Sequence, residues 1–84
     1  MNLHDDVLLY IAKHDGALTQ DIFNHVLSLP GREGTNRNYF YHVIRRLRMR
    51  GDITTQNKQA PGRAMQFITL KGLKHLRKEK QHDG

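Results

Sequence analysis

The amino-acid sequence predicts a single α+β domain over residues 1–84, with three helices followed by a β-hairpin and a short C-terminal helix. Two patterns lead to this prediction. Apolar residues recur at helical spacing in three segments within residues 3–50, each bounded by capping or turn residues. Residues 52–56 and 65–69 instead alternate apolar and polar side chains, as half-buried strands do.

The first two helices are predicted from their caps and stripes. The first begins after Asn2, whose side chain can cap it, and ends before Gly16. The second is expected to begin at a Thr19 cap and to run to about Leu29, where Pro30 follows. The apolar stripes of the two helices are Leu3, Val7, Leu8 and Ile11, and Ile22, Phe23, Val26 and Leu27.

The third helix covers residues 36–50, with Thr35 or Asn36 as its cap and Gly51 as its end. Its narrow apolar stripe consists of Phe40, Val43, Ile44 and Leu47. The opposite face is polar, basic and aromatic, and it carries Asn38, His42, Arg45 and Met49, flanked by Tyr41 and Arg46.

The hairpin follows Gly51. Its turn, residues 57–64, contains Lys58, Arg63 and the Pro61-Gly62 pair. Ile53 can share a buried face with Phe67 or with Ile68, depending on the register of the strands. The terminal helix is expected to present Leu70, Leu73 and Leu76 on one side.

The composition favours a polyanionic partner and excludes disulfide-bonded and cysteine-ligated metal proteins. Fourteen Lys and Arg face eight Asp and Glu, which gives a formal charge of +6. There is no cysteine, so disulfides and thiolate metal sites are excluded. The longest apolar run, residues 7–12, is too short for a membrane span or a signal peptide, so a cytoplasmic protein is expected.

No catalytic set is found in the sequence. Ser28 is the single serine and has no evident base, and there is no Gly-rich phosphate loop. The six histidines lack the paired spacing of a helical metal site. We therefore expect no enzymatic activity, no metal, no cofactor and no small-molecule ligand.

The third helix has the residue types that read DNA. The major groove of B-DNA, about 12 Å wide, admits one helix, whose N-terminal half reaches the base edges. Arginine can bind guanine and asparagine can bind adenine, each through two hydrogen bonds. The candidate base-contacting residues are Arg37, Asn38, Tyr41, His42 and Arg45. An ordinary solvated helix face remains the alternative.

Other basic residues are expected to bind phosphates. Arg46, Arg48 and Arg50 point in other directions around the helix, and His42 can donate to a phosphate when it is protonated. These arginines could also serve only as helix formers that cover the edge of the core. In the hairpin turn, Lys58 and Arg63 would lie on the DNA backbone or in the minor groove, unless the turn is simply solvent-exposed.

Three segments carry a resemblance to known proteins. They are residues 18–23 (Leu-Thr-Gln-Asp-Ile-Phe), residues 39–51, and residues 62–73 (Gly-Arg-Ala-Met-Gln-Phe-Ile-Thr-Leu-Lys-Gly-Leu). The last resembles a wing strand with a Leu-Thr-x-x-Gly ending, in which Thr69 and Leu70 stand in reversed order. This layout resembles the winged helix-turn-helix superfamily, and within it the PadR-like and MarR-like transcriptional regulators.

The resemblance implies a regulator of transcription that binds double-stranded DNA, and we expect it to be a repressor. Helix 36–50 would enter the major groove, and the wing, residues 57–64, would lie beside it. A homodimer through the first and last helices is expected because Leu73 and Leu76 are available. The alternatives are an architectural, replication or recombination accessory protein of a mobile element, and a winged module that binds protein or RNA.

Overall fold

The computed structural model describes residues 2–82, which form an α+β fold as predicted. The helices are α1 (Leu3–Lys13), α2 (Thr19–Ser28), α3 (Arg37–Met49) and α4 (Leu70–His82), and the strands are β1 (Ala17–Leu18), β2 (Ile53–Gln56) and β3 (Met65–Ile68). The strands form one antiparallel sheet in the order β1-β3-β2. Within the described residues, no helix is both long and apolar enough to cross a bilayer.

The core lies between α1, α2 and α3, and it confirms the predicted stripes. Every predicted stripe residue of α1 and α3 is buried, as are three of the four in α2, while Leu27 is partly buried against them. Phe23 and Phe40 pack with their ring centroids 5.0 Å apart. Since all three apolar faces point inward, the outward side of α3 is left to polar residues.

Side-chain caps fix the starts of α1 and α3. The Asn2 side chain accepts a hydrogen bond from the amide of Asp5 at 2.8 Å, as expected. Of the two candidate caps for α3, the structure has Asn36, which accepts from the amides of Asn38 and Tyr39. These bonds satisfy free amides in the first turn of each helix.

The prediction that Thr19 caps α2 is wrong. The cap position is Leu18, which makes no side-chain cap bond, and Thr19 is already the first helical residue. Its hydroxyl is buried and donates to the carbonyl oxygen of Ala64 at 2.7 Å. The cause is β1, since the chain remains extended through Leu18 to pair with Met65 and turns into the helix only afterwards.

The hairpin joins β2 to β3, and its loop, residues 57–64, contains a 3-10 turn at Pro61–Arg63. Ile53 pairs with Ile68, which settles the register that the sequence left open. Ile53 is buried and Ile68 packs against the core from the neighbouring strand. Phe67 pairs instead with Thr54.

The prediction of a short C-terminal helix is wrong. Helix α4 has 13 residues, the same length as α3. Leu76 packs against the core, whereas Leu73 and Leu70 are 40% and 77% exposed. Gly72 allows α4 to approach Asp52, the residue before β2, because a Cβ atom at position 72 would lie 2.3 Å from the carbonyl oxygen of Asp52. The backbone of α4 therefore lies directly against the backbone that leads into β2.

Candidate nucleic-acid interface

The outward face of α3 is solvent-exposed as predicted. Asn38, His42, Arg45 and Met49 are all exposed, the last of them by 74%. The stripe on the opposite side of the helix is buried under α1 and α2. The face is therefore available to a partner along the whole helix.

A groove separates one edge of α3 from the hairpin. Its volume is about 230 Å³. On one side it is lined by Tyr41, Arg45 and Arg48 of α3, and on the other by Lys58 of the hairpin loop. The structure thus brings together Tyr41, Arg45 and Lys58 with Arg48, which was expected to bind phosphate.

The floor of this groove is a buried hydrogen-bonded network. Gln66 is 1% exposed, and its amide nitrogen donates to the hydroxyl of Thr19 at 2.9 Å. Its carbonyl oxygen accepts from the hydroxyl of Thr55 at 2.7 Å. Together with the bond from Thr19 to Ala64, these contacts tie the start of α2 to both strands of the hairpin. They fix the position of the hairpin relative to the start of α2.

No acid among the described residues forms an ion pair with the cations around the groove. Arg45, Arg48 and Lys58 form no ion pair and no side-chain hydrogen bond with any residue that the structure describes. Three positive charges at one groove repel each other and raise its positive potential. Such a groove attracts a polyanion.

Arg63 does not line this groove. It is exposed at the end of the 3-10 turn in the hairpin loop, where its amide donates to the carbonyl of Ala60 at 2.8 Å. Its backbone therefore helps to shape the loop, and the 3-10 turn to which it belongs contacts α2.

Arg37 is drawn back towards α2. Its guanidinium carbon lies 4.6 Å from the centroid of the Phe23 ring, and its Nη1 donates to the side chain of Gln20 at 3.1 Å. A cation over an aromatic face is attracted by the ring quadrupole. Arg37 thus stabilises the contact between α2 and α3 and is separated from the cationic groove.

His42 and Arg46 lie on the other edge of α3. They line a cleft of about 400 Å³ against α1, together with His4, Tyr39 and Val43. The predicted DNA-contacting residues are therefore divided between two edges of α3, its first turn and the hairpin loop. Those on α3 point in different directions because successive side chains of a helix are rotated around its axis.

Arg50 was expected to bind phosphate, but its charge is already paired within the protein. Its Nη2 lies 2.7 Å from Oδ2 of Asp52, whose side chain is only 2% exposed. Removing a charge from water in this way requires a compensating partner. Arg50 is thus held by a structural ion pair, and Arg46 and Arg48 remain as the phosphate-binding candidates of the three.

Sequence reasoning missed the floor of the groove. Thr19, Thr55 and Gln66 look like surface residues of a helix start and two strands, and nothing local shows that they meet. Gln66 and Thr19 are separated by 47 positions. The one available signal was alternation in residues 65–69, which places Gln66 on a face opposite to Met65 and Phe67.

No described cluster of three or more His, Asp or Glu side chains could hold a metal ion. The chain was also compared with models of protein families, with curated proteins and with solved structures, and none of them matched it.

Proposed function

We propose that the protein is a sequence-specific regulator of transcription, a repressor, that binds double-stranded DNA through a winged helix-turn-helix. The observation that carries this proposal is the groove shared by α3 and the hairpin, where Arg45, Arg48 and Lys58 have no acidic partner among the described residues. Positive charges gathered without compensation are typical of a phosphate-binding surface.

In this proposal α3 is the recognition helix. With side chains its diameter is about 10–12 Å, which matches a major groove about 12 Å wide. Asn38 and Arg45 are exposed on its outward face and would bind base edges, adenine and guanine respectively. Tyr41 is partly buried against the core, so it would act through the exposed part of its ring.

The hairpin loop would serve as the wing. Lys58 faces the same groove as Arg45 and would bind the phosphates of the strand beside α3. Arg63, farther along the loop, would reach the next phosphates or the adjacent minor groove. The buried Gln66 network supports this arrangement because it connects the hairpin to α2.

We also propose a homodimer through α1 and α4, which would present two recognition helices to an inverted repeat. Leu70 and Leu73 supply exposed apolar surface on α4, whereas Leu76 is already used by the core. The apolar surface open to a second copy is therefore smaller than the sequence indicated.

The test is in-vitro selection from random duplex DNA, followed by affinity measurements at several salt concentrations. We expect one enriched inverted repeat, bound with a log-log salt slope of about −0.9 for each phosphate contact. Salt-sensitive binding without enrichment would favour an architectural or recombination role. Absence of binding at low salt would overturn the proposal and direct the search to protein or RNA partners.

A further inference from the structure

A second basic cleft lies on the edge of α3 that faces away from the hairpin. His4 of α1 and Arg46 of α3 line it together with His42. Both His4 and Arg46 also line an adjoining hollow of about 520 Å³, which reaches Arg50 and, on α4, His75. His4 and Arg46 therefore stand where the two cavities meet.

The cleft is lined by the unpaired positive charge of Arg46 and by no carboxylate of the described residues. Arg46 forms no ion pair with any side chain that the structure describes. The nearby acid Asp5 is 3.6 Å from His75, so it is already adjacent to another base. The titratable and charged groups that surround His4, from α1, α3 and α4, are Asp5, Tyr39, His42, Arg46, Arg50 and His75.

The pKa of His4 is affected by its position in this cleft. Partial burial lowers its pKa below the ordinary value of 6.5, and the positive charges of Arg50 and then Arg46 lower it further. The carboxylate of Asp5 acts in the opposite direction and is the weakest of the four influences. The uncharged form of His4 is thus favoured at neutral pH until an anion enters the cleft.

The two basic edges of α3 suit the two walls of a DNA groove. Arg46 and Arg48 lie roughly 160° apart around the helix, at about 100° per residue. When the outward face of a helix meets the bases in the major groove, its two edges face the two phosphate strands. The hairpin would accompany one strand on the Arg48 side, and the His4 cleft would face the other.

We propose that His4, His42 and Arg46 form a second phosphate site, which binds the DNA backbone across the major groove from the hairpin, and that His4 takes up a proton as the phosphate binds. This inference rests on the proposed DNA binding. The proton comes from the solvent, and the phosphodiester remains a monoanion, so no covalent bond changes. Affinity therefore rises as the pH falls from neutrality.

The test is an NMR titration of the histidine ring protons, with and without a selected duplex, in which His4→Gln assigns the His4 signal. We expect the titration midpoint of the His4 ring to move upward by one pH unit or more when DNA is bound. His14 serves as the control, and its midpoint should not move. His14 is exposed at the C-terminal cap of α1, and its ring packs at a tilt against Tyr10, away from this cleft. An unchanged His4 midpoint on fully bound DNA overturns the inference.

Two further measurements separate the possible failures. Arg46→Gln should weaken DNA binding several-fold and reduce the salt slope by about 0.9, whereas Lys13→Gln, which removes one charge from another face, should leave both nearly unchanged. If no DNA binds at low salt, the proposed function fails, and inorganic phosphate is titrated instead. A shift of His4 by millimolar phosphate keeps a phosphate site in the cleft, and no shift overturns it.

Discussion

The side-chain amide of Gln66 donates to the hydroxyl of Thr19 at 2.9 Å, and both residues are 1% exposed. This bond crosses 47 positions of the chain and links β3 to the start of α2. It is the one contact in the groove floor that joins a strand side chain to a helix side chain, among the hydrogen bonds of the described residues.

Gln66→Leu should lower the free energy of unfolding by about 1–3 kcal/mol, because it leaves the hydroxyl of Thr55 without its partner in a partly buried position. Urea unfolding measures the effect. The matched control is Gln56→Leu on β2, where the side chain is exposed and a change within about 0.5 kcal/mol is expected. Equal stability of the two variants would show that the network contributes nothing.

Gly72→Ala should destabilise the fold by about 1–3 kcal/mol, since the new methyl group would lie 2.3 Å from a backbone oxygen that cannot rotate away. Gly34→Ala is the control, because a Cβ atom at that position meets nothing within 4 Å. Thermal unfolding of both variants gives the comparison. A Gly72→Ala variant as stable as the parent would mean that α4 can move without cost.

Arg45→Ala should weaken binding to the selected DNA site by about 1–3 kcal/mol and have less effect on random DNA, because it removes a contact to a base. Lys58→Ala should weaken both by similar amounts, because a phosphate contact carries no sequence information. Fluorescence anisotropy with the two duplexes measures this, with Lys13→Ala as a control for net charge. Equal losses on both duplexes for both variants would remove the assigned roles.

The stability of the free protein should decrease between pH 7.5 and pH 5, in part because of His4. Its pKa is lower in the folded state than the unfolded value of about 6.5. The unfolded chain then binds more protons, so this stability is complete above pH 6.5 and is lost as the pH falls through the folded pKa. His4→Gln should reduce the difference between the free energies of unfolding in urea at the two pH values. A difference identical to that of the parent protein would contradict the contribution assigned to His4.

Leu73→Ser should shift the protein from dimer towards monomer in sedimentation experiments, since it reduces the apolar surface of α4 that a second copy could bury. Circular dichroism would show that the helix content is kept. A parent protein that is monomeric at micromolar concentration, alone and on DNA, would contradict the dimer itself.

Long apolar stripes made the helices predictable, because Phe40, Val43, Ile44 and Leu47 repeat at the helical period and have one face to bury. The strand β1 was missed because two residues are too few to show the alternation of apolar and polar side chains that marks a strand. Thr19 was misplaced for the same reason, since its environment is set by a strand that local patterns do not show.

The site was predictable to a smaller degree. The outward direction of Arg45 follows from its position opposite the stripe, and its exposure agrees. The partners of Arg37 and Arg50 do not follow, because Phe23 and Asp52 belong to other elements. Helical position gives the direction of a side chain, whereas tertiary packing determines whether its charge is free.

Thr69 connects the two candidate DNA-binding elements from behind. Its hydroxyl lies 2.7 Å from the carbonyl oxygen of Gly51 and 2.9 Å from that of Asp52, the residues between α3 and β2, and it accepts from the amide of Gly72 in the first turn of α4. One hydroxyl thus joins the segment after α3, the start of the hairpin and the last helix. We therefore expect a displacement of α4 to change the angle between α3 and the hairpin, although none of its described side chains lines the groove.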